Sequence, residues 1–176
     1  MRMRIILVAG MPGAGKEELL TVARGMGLPF LRMGDLVREA YALSGRSDVS
    51  AGGFADEERR TKGKDIWARR AVERMSGDVF LVDGCRSMDE VRAYREICDD
   101  IVVLGIFASP AARYDRLVKR GREDAPRNVE EFEARDAREM GWGLSDVLAL
   151  ADVMVPNDRD LESFRILAAE TLGGLL

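Results

Sequence analysis

Residues 5–9, Ile-Ile-Leu-Val-Ala, run directly into Gly10-Met11-Pro12-Gly13-Ala14-Gly15-Lys16, and a helical pattern begins at Lys16. No other stretch constrains the fold as tightly. A continuous, β-branched apolar run suits a strand buried on both faces. The glycines let the following loop curl so that its backbone N–H groups converge on an anion. The helix that follows adds the positive end of its dipole. The pattern is GxxxxGK, a Walker A loop, whose lysine reaches the β- and γ-phosphates of a bound nucleoside triphosphate. Gly10, Met11, Pro12, Gly13, Ala14, Gly15, Lys16 and Glu17 are therefore the expected ATP-binding residues. Glu17 stands where such loops carry a Ser or Thr hydroxyl for Mg²⁺. Its carboxylate either ligates the ion itself or points away and favours the helix N-terminus.

Apolar runs alternate with helical patterns along the rest of the chain. Strands are expected at 5–9, 28–33, 79–82, 101–107 and 153–155. Helices are expected at 16–24, 35–43, 55–75, 88–98, 111–119, 129–140, 144–150 and 161–172, with a small-residue loop at 47–53. Such alternation predicts an α/β chain, a single-domain P-loop NTPase fold with a central parallel sheet of about five strands and helices on both faces. In such sheets ligands bind at the carboxyl ends of the strands. The 176 residues form one expected domain, with a helical acceptor-cover region at 34–76 and a short Arg-rich lid at 116–136.

Composition removes several chemistries. The chain has no histidine, so His-based zinc sites and Ser-His-Asp triads are excluded. Cys85 and Cys98 form no CxxC and suit a reducing cytoplasm. A net charge of −4 and few interleaved aromatics argue against nucleic acid. The apolar start is too short for a signal peptide, and no run reaches the ~20 apolar residues of a membrane helix. The expectation is a cytoplasmic monomer or homodimer without membrane or nucleic-acid partners.

Three further motifs carry chemistry. Gly34-Asp35-Leu36-Val37-Arg38 follows the second strand; on its own it also reads as an N-capping Asp and a solvated Arg. Asp83 closes a buried hydrophobic strand like a Walker B acid, and Gly84-Cys85-Arg86 follow. Arg116, Arg120, Arg122 and Arg135 form a cationic series that also reads as solvated helix ends paired with Glu123, Asp124 and Asp136. The first motif resembles the Gly-Asp-x-x-Arg segment of adenylate kinases, and dephospho-CoA kinases carry a similar segment. The second is similar to the Leu-Asp-Gly-Phe-Pro-Arg stretch of adenylate kinases, without the Pro and with the arginine one position sooner. The third resembles the arginine lid of short nucleoside monophosphate kinases. Residues 151–157 resemble the last strand and turn of dephospho-CoA kinases. Over nearly its whole length the chain is similar to a largely archaeal family of P-loop nucleotide-kinase-like proteins, related to adenylate kinases and dephospho-CoA kinases.

That resemblance implies an ATP- and Mg²⁺-dependent kinase of nucleoside-monophosphate or dephospho-CoA type. It would transfer the γ-phosphoryl group to a small phosphate-bearing acceptor, a nucleotide or a nucleotide-like cofactor precursor. Lys16, Arg122 and Arg135 would hold the transferred group, Arg120 would assist at ATP, and Asp83 would help place the metal. Arg38 and Arg86 would hold the acceptor, and Asp35 would be the base if a hydroxyl attacks. A nucleotide-binding regulatory module with little turnover is the alternative.

Overall fold

The computed structural model describes residues 3–121 and 125–176. Five strands, β1 (Arg4–Gly10), β2 (Phe30–Arg32), β3 (Val79–Asp83), β4 (Asp100–Phe107) and β5 (Val153–Pro156), form one parallel sheet in the order β2-β3-β1-β4-β5. The helices are α1 (Lys16–Gly25), α2 (Met33–Leu43), α3 (Ala51–Lys62), α4 (Ile66–Val72), α5 (Met88–Ile97), α6 (Pro110–Arg120), α7 (Val129–Gly141), α8 (Leu144–Ala149) and α9 (Leu161–Gly174). This is the single-domain P-loop architecture the alternating pattern predicts.

The run at 5–9 becomes the central strand, and every one of its side chains is fully buried. Successive strand residues face opposite ways. Ile5, Leu7 and Ala9 therefore enter a core with Met33, Trp67, Tyr94 and Leu144. Ile6 and Val8 enter the other core with Leu19, Phe164, Ala168 and Leu172. Burial of each such aliphatic side chain contributes about 1.5–3 kcal/mol. Two helical layers thus fix β1 from both sides, and the loop leaving its carboxyl end inherits a rigid base.

Several boundaries differ from the sequence expectation, each for a local reason. β2 is only three residues, an edge strand that turns straight into α2 at Met33. The N-cap of α2 is Arg32, so Asp35 lies in the first turn rather than capping it. The single helix expected over 55–75 is two helices. α3 begins earlier, where Ser50 accepts a hydrogen bond from the Gly53 N–H, and stops at Gly63, whose φ of 106° lies in the glycine-favoured region. The second helix, α4, buries Trp67 and Ala71. Among the described residues no helix is long and apolar enough to cross a membrane.

Candidate active site

The loop between β1 and α1 is shaped by three donors that pull its carbonyls outward. Arg113 Nη1 donates to the Pro12 carbonyl at 3.1 Å, and Asn157 Nδ2 donates to the Ala14 carbonyl at 2.7 Å. Lys16 Nζ donates to the Gly10 carbonyl at 2.6 Å. A planar trans peptide points its N–H opposite its C=O. Anchoring the carbonyls of Pro12 and Ala14 therefore turns the N–H groups of Gly13 and Gly15 the other way, as an anion nest requires. Both glycines have positive φ, 82° and 118°. A Cβ on Gly13 would approach the Arg113 carbonyl to 2.8 Å, and one on Gly15 would collide with the Asn157 amide.

Arg113 is itself anchored. It is 4% exposed and forms a two-pronged pair with Asp136 at 2.9 and 2.5 Å, and its guanidinium lies 4.9 Å from the Phe132 ring centroid. The pair ties α6 to α7 beneath the loop. Asp136 thus answers a buried arginine with which the sequence reading did not pair it. Arg113 had no signal in the sequence, because the loop carbonyl it serves lies 101 positions away. Asn157 was visible only as part of the terminal-strand resemblance.

Four charges gather where β1, β2 and β3 end. Burial pushes the Lys16 ammonium below the usual lysine pKa, against an upward pull from Asp83. Burial pushes the Asp83 carboxyl above its usual range, and Lys16 draws it back. Asp83 is 8% exposed and its Oδ1 is buried without a hydrogen-bond partner. Native structures leave few such orphans. Arg32 neighbours Asp83 in the sheet and pairs with Glu17 at 2.9 Å, while its own Nε is buried and unpartnered. Glu17 is therefore held by Arg32 while its side chain stays partly exposed. Mg²⁺ at nucleotide sites takes one or two carboxylates plus phosphate and water. The orphaned Asp83 oxygen fits that donor set.

The loop mouth is a small cavity of about 80 Å³ lined by Gly10, Lys16, Gly84, Arg86, Arg135 and Glu139, among others. It adjoins a cleft of about 890 Å³ between α3 and α7, which shares Arg135 and Glu139 with the mouth. A further cleft of about 660 Å³ shares Arg86 with the mouth and Asp56 and Trp142 with the larger cleft. Arg86 donates to Glu139 at 2.9 Å, and its guanidinium lies 5.3 Å from the Trp142 ring centroid.

Of the residues singled out by sequence, the fold brings together the loop, Lys16, Asp83, Arg86 and Arg135. Others lie elsewhere. Asp35 and Arg38 pair with each other on the exposed side of α2 and line none of these three cavities. Arg116 donates to the Asn157 carbonyl at 2.8 Å, and Arg120 is exposed in the last turn of α6. Arg122 lies outside the described residues. Glu139 and Trp142 were missed. They sit on and just past a charged helix whose polar pattern reads as solvated.

The fold is shared with solved structures at low identity. These include TT1252 from Thermus thermophilus (TM-score 0.67, 18% identity, 100% of both chains covered) and a shikimate kinase from Bacteroides thetaiotaomicron (0.65, 18%, 97% and 99%). A gluconokinase from Sinorhizobium meliloti 1021 also matches (0.61, 16%, 99% and 95%). Residues 9–133 match the family described as an AAA domain. A UPF0200 protein of Thermoplasma volcanium is 43% identical over 163 residues, covering 91% of each chain. One of Hyperthermus butylicus is 40% identical, covering 97% of this chain and 94% of its own. The chain therefore belongs to the UPF0200 family, archaeal proteins built on the P-loop kinase-like fold.

Proposed function

We propose that this protein is an ATP-dependent kinase that phosphorylates a small phosphate-bearing acceptor, a nucleotide or a nucleotide-like cofactor precursor. One observation carries the reading. The mouth of the phosphate loop and the 890 Å³ cleft share Arg135 and Glu139, so a donor space opens directly onto an acceptor space. A module that only binds nucleotide needs no second space. The fold shared with a shikimate kinase and a gluconokinase supports the same reaction class.

The roles follow from position. The N–H groups of Gly13 and Gly15 cradle the polyphosphate, and Lys16 exchanges its Gly10 carbonyl for a phosphate oxygen. Arg135, at the junction, stabilises charge that spreads over the transferred group. Arg120, in the last turn of α6, and Arg122 belong to the same cationic series in the sequence. Asp83 would hold a metal ion, which would supply charge neutralisation to the polyphosphate when bound. An ionised phosphate oxygen on the acceptor attacks without a base. A hydroxyl needs a carboxylate. Glu139 lines the junction, whereas Asp35 serves as base only if α2 moves inward.

Calorimetry with Mg-ATP, paired with mass spectrometry of ligand released on denaturation, tests the reading. Saturable binding that weakens in Lys16→Ala, with a phosphorylated small molecule co-purifying, is expected. Equal affinity in both proteins would remove the loop as donor site.

A further inference from the structure

Glu17 and Arg32 stand at the phosphate loop with no part in the transfer described above. The motif that carries Glu17 ordinarily offers the metal a neutral hydroxyl. Here it brings a second carboxylate close enough to Asp83 to push the Asp83 carboxyl up. Two neighbouring carboxylates, one with an oxygen buried and unpartnered, suit a hard divalent ion even without phosphate ligands. We propose that Arg32 is a positioning residue that prevents this, a resident cation serving both carboxylates and keeping a bare metal ion off the empty loop. Metal then enters only with its nucleotide. The inference rests on Asp83 as the metal residue and not on any acceptor or turnover.

Arg32 is placed for this by its backbone and by its side chain. It is the last residue of β2 and lies in register with Asp83, on adjoining strands about 4.8 Å apart. Its Nη2 donates to Glu17 Oε2 at 2.9 Å, and its guanidinium lies 5.7 Å from the Phe30 ring centroid. The Arg32 Nε and the Asp83 Oδ1 are both buried and unpartnered. One is a donor and the other an acceptor, so a single guanidinium can serve Glu17 and Asp83 together, and its charge already draws the Asp83 carboxyl down. The surrounding charges agree. Those acting most on Lys16 and Asp83, beyond each other, are Arg32, Arg86 and Arg135 against Glu17 and Glu139. With Lys16 and Asp83 included, four cations face three carboxylates. A bare dication meets that positive surplus, whereas a metal–nucleotide complex, still anionic, is drawn in. Without Arg32 the surplus is gone, and Glu17 and Asp83 are left to share an ion. A partly exposed ion pair such as Arg32–Glu17 adds little stability. Its effect is therefore to be sought in metal binding.

Mn²⁺ is the probe, because the electron-spin-resonance signal of the free aquo ion is lost on binding. It is titrated into the full chain with and without a non-hydrolysable ATP analogue. Without nucleotide, the parent should show no Asp83-dependent site below about 1 mM; with the analogue it should show one. Arg32→Gln should gain a nucleotide-free site at least tenfold tighter than any in the parent, whereas Arg32→Lys, which keeps the charge, should not. The gained site should vanish in Arg32→Gln/Glu17→Gln and in Arg32→Gln/Asp83→Asn. An arginine that served structure alone would change thermal stability and leave the nucleotide-free Mn²⁺ affinity where it was. Nucleotide-free binding to the parent that is lost in Asp83→Asn overturns the proposal. So does an Arg32→Gln protein with parental circular dichroism that gains no site, or one whose gained site survives the loss of Glu17. If Arg32→Gln does not fold, Arg32→Met, which keeps the aliphatic stem beside Phe30, takes its place, and the parent's two titrations still decide. The readings separate. Absence of any phosphorylated acceptor sinks the kinase reading and leaves these titrations untouched, while Asp83-dependent Mn²⁺ binding to the empty parent sinks this inference alone.

Discussion

Lys16 donates to a carbonyl of its own loop, and burial holds its pKa down. A bound polyphosphate offers it a charged acceptor instead. Charge-assisted hydrogen bonds contribute about 1.5–3 kcal/mol. Lys16→Ala should therefore weaken Mg-nucleotide binding by about 10–100-fold in calorimetry. Glu17 gives a sharper test. Its carboxylate is engaged by Arg32 and adds negative charge beside the phosphates. Glu17→Thr restores a hydroxyl and removes that charge, so Mg-nucleotide affinity should rise several-fold, since a charge at close range is worth about 1 kcal/mol at high dielectric. A fall in affinity would mean that Glu17 itself ligates the ion. At this scale the loop, Lys16 and Asp83 were legible, because strand, glycines and lysine form one contiguous signal. Arg113, Glu139 and Trp142 were not, because each acts on residues distant in the chain. Asp35 and Arg38 illustrate the converse: a motif can be clear in sequence while its side chains satisfy each other on a helix surface.

Two helix contacts decide how firmly the site is held. The Arg113–Asp136 pair joins α6 to α7 and carries the Pro12 carbonyl. Removing one partner of a buried pair leaves an uncompensated charge at a cost of about 3–5 kcal/mol. Asp136→Ala should lose about that much stability in denaturant unfolding, with nucleotide affinity falling in parallel. The corner between α3 and α4 depends on Glu58. Burial pushes its pKa up, but hydrogen bonds from Lys62 and Arg70 outweigh this and hold it below the usual glutamate value of 4.5. A depressed carboxylate contributes stability above its unfolded pKa and loses it as pH falls through the folded value. Glu58→Gln should thus lower Tm at pH 7, and the difference from the parent should shrink below pH 4.5. A difference that grew on acidification would contradict the pairing. The corner itself was hidden in the sequence. Charged helical periodicity continues across Gly63, and only its positive φ shows that the helix ends there.

For the whole molecule, alternation of strands and helices was enough to read a parallel sheet, but not which helices face each other across its edge. The 890 Å³ cleft arises because α3 and α7, well separated in sequence, stand opposite one another beside the loop. That juxtaposition depends on strand order and on the break at Gly63, neither of which has a local sequence signature. It also divides the molecule's work. β1 and its two cores fix the phosphate loop, while on the proposed kinase reading clefts walled by exposed helices would receive the second substrate. The central claim is that these two spaces act together in one phosphoryl transfer. The most direct measurement incubates the protein with γ-labelled ATP, Mg²⁺ and a pool of phosphate-bearing small molecules, and follows the label. The account predicts label appearing in an acceptor in step with ADP, both lost in Lys16→Ala and slowed in Arg135→Ala. ATP bound at full affinity, with neither ADP nor labelled acceptor formed over hours, would contradict it.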